Sequence, residues 1–201
     1  MKFLCALTAV LATAAAGRAQ EPVDRAEAVK YAAILNLDLD KLADAPLPTD
    51  ADTKRAFGVK GDKRGGLVVP EAKLSPATLA GAGKDAVPIG QLWLAGLVPA
   101  RDGQPVATNL LKQVTVEFQG REVALPLCVL GVRKSAGDAL ELLIYGKDKT
   151  PLLAVPMTAA PSEQKWPLEF SAVRESDSCV RVTLNVVGKF SASFSVAAPA
   201  P

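Results

Sequence analysis

"CVRVTLNVVGKFSASFSVA", residues 179–197, decides the fold. Val180, Val182, Leu184 and Val186 share one face of an extended chain, because strand side chains alternate. After Val187-Gly188-Lys189 the alternation resumes. Phe190, Ala192, Phe194 and Val196 face one way, and Ser191, Ser193 and Ser195 face the other. A two-residue turn at Gly188-Lys189 would set Leu184 against Ser193 and mix the two sets. A three-residue loop aligns Val182 with Phe194, Leu184 with Ala192 and Val186 with Phe190. Burial of one face requires that second register. The stretch is therefore a half-buried antiparallel hairpin, and its serine row reads as the solvated face.

The same grammar extends upstream. "KQVTVEF" (112–118) alternates, "QGRE" turns the chain, and "VALPLCVLGV" (123–132) returns it. A two-residue Gln119-Gly120 turn would oppose Glu117 to Glu122. A four-residue turn pairs Phe118 with Val123 and avoids that repulsion, so it is the expected register. Pro126 marks an edge or a bulge. "LELLIYG" and "TPLLAVP" form a hairpin across "KDK", and "WPLEFSAV" adds a further strand. "VPIGQLWLAGLVP" (87–99) is a buried strand with bends expected at Gly90 or Gly96. Many short strands separated by charged, glycine-rich turns indicate a mainly β domain, an antiparallel β-sandwich, with a barrel as the alternative. It spans residues 58–201.

Before it lies a helical lead-in, residues 20–57. Asp24 caps a helix whose stripe is Ala28, Tyr31, Ala32 and Leu35, and Glu27 has capping-box spacing. "NLDLDKLADAPLP" (36–48) offers a second helical turn, and "TDADTKRAF" (49–57) a third with Thr49 as cap. "LSPATLAG" (74–81) is a short helix within the β region, opened by Ser75 and Pro76 and closed by Gly81.

Residues 1–19 read as a signal peptide. Lys2 precedes the apolar run Phe3–Ala16, and Gly17 and Ala19 are small residues at the cleavage positions. The run is shorter than the roughly 20 residues of a membrane span. Cys5 lies too early for a lipoprotein motif. No later segment is long and apolar enough to span a membrane. The expected location is periplasmic or extracellular. Cleavage takes Lys2 and Arg18 from the 23 basic residues and nothing from the 21 acidic ones, leaving a formally neutral chain. Its charges interleave, which argues against nucleic acid as a partner. The cysteines then remaining, Cys128 and Cys179, are an exported pair expected to form a disulfide. Cys179 shares phase with Arg181 and Thr183, which argues for an outer-face position.

The chain has no histidine. That removes histidine general bases, Ser-His-Asp and Cys-His nucleophile systems, and histidine-bound zinc or haem. "SEQK" (162–165) matches Ser-x-x-Lys, but no Ser-Asp-Asn accompanies it and "KTP" (149–151) departs from Lys-Thr-Gly. Asp38, Asp40 and Asp44, with Asp50 and Asp52 further on, lack the glycine and distal glutamate of an EF-hand and read as helix caps. "GVKGDKRGGLVV" (58–69) has the glycine spacing of a phosphate loop, yet Leu67 stands where lysine belongs and no helix follows. It reads as a hairpin joining Ala56–Lys60 to Leu67–Pro70. Glycines 61, 65 and 66 supply positive φ, and Lys63 and Arg64 form an exposed tip.

Trp93 lies in an apolar run and belongs to the core; Trp166 begins a strand and is a candidate contact residue beside Lys63 and Arg64. No cofactor or metal site is indicated. The composition and missing constellations point to an exported, non-enzymatic β-sandwich module that acts through an unidentified protein or cell-surface partner. Two alternatives stand beside it. One is a glycan hydrolase with dispersed carboxylates. The other is a small-ligand carrier, if the strands close into a hollow barrel.

Overall fold

A computed structural model describes residues 20–37, 45–61, 64–118, 120–176 and 178–200. The expected signal peptide, Asp38, Asp40, Asp44 and Lys63 lie outside these residues, as does most of the second helical turn expected over 36–48. The elements are β1 Glu21–Pro22, α1 Arg25–Asn36, β2 Phe57–Lys60, β3 Gly65–Pro70, α2 Pro76–Ala80, β4 Val87–Ala95, β5 Val98–Arg101 and β6 Gln104–Pro105. There follow β7 Lys112–Phe118, β8 Arg121–Lys134, β9 Leu140–Tyr145, β10 Leu153–Pro156, β11 Thr158–Ala159, β12 Leu168–Arg174, β13 Cys179–Val186 and β14 Phe190–Ala197.

The strands form two open antiparallel sheets. The first runs β1-β2-β3-β4-β8-β9-β10, with β7 also on β8; the second runs β12-β13-β14-β5-β6, with β11 also on β14. This is a sandwich and not a closed barrel, so the barrel alternative falls. Leu92, Cys128, Leu130 and Ile144 of the first sheet meet Phe170, Leu184, Phe194 and Val196 of the second in one buried core. Phe57 and Phe170 bridge the sheets edge to face, with centroids 5.8 Å apart and planes at 82°.

The bend expected at Gly90 or Gly96 is found at both. At Gly90 the β4–β8 register shifts, and φ is 153°. A Cβ there would lie 2.4 Å from the Val69 carbonyl oxygen, so only glycine fits. Gly96, at φ 65°, turns the chain out of β4, and β5 then runs in the other sheet. The terminal hairpin takes the register that burial requires: Val182 opposes Phe194, Leu184 opposes Ala192 and Val186 opposes Phe190. The short helix α2 has its Ser75 cap and ends at Gly81.

The β7–β8 turn differs from expectation. Phe118 pairs with Arg121, and Glu117 directly opposes Glu122. Both registers keep Val114 and Val116 on the same face as Val123 and Leu125, so burial does not discriminate. Gly120, at φ 74°, supplies the left-handed residue of a two-residue turn. The two carboxylates repel in water by only roughly a few tenths of a kcal/mol.

Of the lead-in, β1 joins the first sheet beside β2, and α1 forms a third layer on that sheet's outer face. The Asp24 carboxylate accepts from Ala26 N at 2.9 Å and Glu27 N at 3.4 Å. Ala28, Ala32 and Leu35 of α1 pack on Leu67, Val69, Trp93, Val114, Val116 and Leu127. Thr49 caps no helix, contrary to expectation. A 3-10 turn at Thr53–Arg55 is capped by Asp52 instead, and the Thr49 hydroxyl accepts from buried Gln91 at 3.0 Å.

The expected Cys128–Cys179 disulfide is not formed; both are free thiols. The cause is their placement. Cys128 is buried in β8 opposite Leu92, inside the sandwich. Cys179 opens β13 in the other sheet with its thiol toward Glu175, at 3.6 Å, on the outer face. The strand phase that argued against pairing prevails over the compartment rule.

Candidate functional site

A concavity with largely apolar walls lies where the first sheet splits. In the β4–β8 register Trp93 opposes Leu127 and pairing stops there. The next partners would be Leu94 and Pro126. Proline has no N–H to donate, so the ladder ends and the strands part. β4 turns away at Gly96, while Arg121–Leu125 continues outward paired only to β7 among the described strands. The β7–β8 hairpin thus projects as an arm.

Between this arm, α1 and the tip of the β2–β3 hairpin lies a groove of about 380 Å³. Its walls are largely apolar: Ile34 and Leu35 from the helix, Leu94 from β4, and Val116, Val123 and Leu125 from the arm. Val123 is 37% exposed, with Leu37, Leu110 and Val173 one of four exposed large apolar side chains among the described residues. The sequence rule that alternating apolar residues face inward holds here, but near the tip the inward face has only partial cover.

A polar strap crosses one side. Lys60 Nζ lies 3.3 Å from Glu27 Oε2, and the Tyr31 hydroxyl donates to Glu27 Oε1. Hydrogen bonds from Tyr31 and Lys60 hold the Glu27 carboxyl below its ordinary range. The same bond pushes the Tyr31 phenol up. Glu27, expected to complete a capping box, instead ties α1 to the hairpin tip. It is the only carboxylate among the described groove residues, so the carboxylate pair of a glycan hydrolase is not assembled there.

Arg64 lines the groove and its carbonyl oxygen accepts from Gly61 N at 2.8 Å. The hairpin itself is as expected, joining Phe57–Lys60 to Gly65–Pro70. Its glycines serve a different purpose from the one expected. Gly61, Gly65 and Gly66 do not have positive φ. Close approach explains the last two: a Cβ on Gly65 would sit 3.1 Å from Val59 O, and one on Gly66 3.1 Å from the Phe170 ring.

Trp166 is half-buried and is not among the residues that line the groove. Its ring lies under the Arg25 guanidinium at 3.7 Å, and Arg25 also donates to Ala56 O at 2.8 Å. The contact locks the start of α1 to the entry of β12. Trp93 is core, 2% exposed, and its indole N–H donates to Gln91 at 3.0 Å. Burial pushes the Cys128 thiol up to about 12. In "SEQK" the Ser162 hydroxyl donates to Gln164 at 3.3 Å, and Lys165 N donates to Glu169 at 2.6 Å. Among the described residues no three potential ligands cluster to hold a metal. The outward serines partner their neighbours: Thr183 and Ser193 at 3.0 Å, and Ser195 with Glu175 at 3.2 Å.

No protein-family model, curated protein or solved structure matches this chain. The groove therefore carries the functional reading on its own chemistry. The alternation of β7 and β8 was legible in sequence. Pro126 was expected to mark an edge or a bulge, and the β4 ladder does end beside it; that β4 is the strand that parts, and that α1 arrives there, was not legible, because both depend on partners distant in the chain.

Proposed function

We propose that this protein is an exported, non-enzymatic β-sandwich module that acts through protein contacts made in the groove between α1 and the β7–β8 arm. The supporting observation is the pairing of an apolar concavity with a projecting arm that leaves Val123 open to water. Partly open apolar surface of this kind suits recognition of apolar side chains. The polar strap of Glu27, Tyr31 and Lys60 fixes the helix against the hairpin, so the groove is held in place before binding. Export rests on the apolar N-terminal run after Lys2 and on the small residues at Gly17 and Ala19.

Titration with an environment-sensitive naphthalene dye tests the groove. Wild-type protein should bind one dye per chain. Val123→Glu with Leu125→Glu should weaken binding by about tenfold, or about 1.4 kcal/mol, with cooperative unfolding retained. Equal binding by the double variant, or none by the wild type, contradicts the reading.

A further inference from the structure

We propose that the free edge of β8 at Glu122–Ala124 receives an extended peptide of alternating apolar and basic residues, as an added antiparallel strand. The inference rests on the groove reading and names its occupant.

The backbone supplies the first argument. The two-residue turn makes Phe118 and Arg121 the last hydrogen-bonded pair of the arm. Backbone groups of Arg121, Val123 and Leu125 therefore point to β7. Those of Glu122 and Ala124 point the opposite way, to the side β4 would occupy had it not turned off. Among the described residues no strand pairs there. An antiparallel peptide opposite Glu122 and Ala124 would gain up to about four backbone hydrogen bonds. Pro126, without an N–H, closes the available edge on one side.

Side chains supply the second. Val123 and Leu125 lie on the groove face with Val116. Residues of an added strand opposite them would enter the groove. Glu122 lies on the other face with Glu117 directly across from it, and both are exposed. An incoming residue opposite Ala124 or Glu122 would sit beside this acidic pair, which a lysine or arginine satisfies and a carboxylate does not. The same pair disfavours a second copy of this chain: a two-fold axis at Val123 would bring two acidic pairs together.

Fluorescence anisotropy with short, end-blocked, labelled peptides tests this. The alternating valine–lysine peptide should bind, and the valine–glutamate peptide should bind about tenfold more weakly. Glu122→Lys, which leaves one acid facing one base, should remove that preference. Ala124→Pro should abolish binding, since it removes an outward N–H while sparing the β7 ladder. If that variant fails to unfold cooperatively, the charge reversal at residue 122 decides. Equal binding of both peptides by the wild type, an undiminished preference in Glu122→Lys, or wild-type affinity in a folded Ala124→Pro overturns the proposal. So does dimerisation of the wild type that Ala124→Pro removes, which would assign the edge to a second copy. Loss of peptide binding with dye binding intact sinks strand addition alone; loss of both sinks the groove.

Discussion

Cys128 and Cys179 illustrate how local phase outweighs composition. The exported-cysteine rule joins them, but one points into the sandwich and the other lies outside it on a different sheet. Their chemistry should differ accordingly. Cys128 is buried, with its thiol pushed up to about 12, so it stays protonated and shielded. Cys179 is partly exposed. In a chain beginning at Gln20, an alkylating reagent should label Cys179 alone under native conditions and both residues after denaturation without reductant. A protein that takes no label when denatured would contain the disulfide and refute this placement. Gln91 carries a related lesson. It shares a strand face with Trp93, two residues on, and that spacing could have identified the buried amide that receives the indole N–H. Its second partner, Thr49, is 42 residues away and no local pattern announces it.

Among the elements, the hairpin whose candidate registers differ by one residue was legible, and the hairpin whose candidates differ by two, which leaves every side chain on the same face, was misread. The β13–β14 register followed from burial alone, because any slip by one residue exposes Phe194 or buries a serine. The β7–β8 register had no such constraint, and an exposed carboxylate pair proved too weak to set it. The β13–β14 loop should carry measurable conformational cost. Gly188 has φ 68°, and a Cβ there would lie 3.1 Å from Ser162 O. Gly188→Ala should therefore destabilise the protein by about 1–2 kcal/mol in urea unfolding. Gly83, whose Cβ would meet nothing within 4 Å, is the control; Gly83→Ala should change stability by less than about 0.5 kcal/mol. Equal effects at the two positions would show that the loop geometry is not as described.

At the scale of the whole molecule, the sandwich was readable because alternation, turn residues and the bends at Gly90 and Gly96 agree with one another. The functional surface was not, because it arises from three chain segments that meet only after folding: α1, the β2–β3 tip and the β7–β8 arm. The candidate contacts read from sequence were dispersed by the fold. Arg64 reached the groove, Trp166 was covered by Arg25, and Lys63 lies outside the described residues. The central claim is that this groove is where the protein meets its partner. Photo-crosslinking in the producing cells tests it most directly, with a photoreactive residue placed at position 123 or, as control, at position 83 in the exposed connector after α2. A discrete adduct from position 123 and none from position 83 is the expected result. No adduct from position 123, or the same adduct from both, would contradict the account.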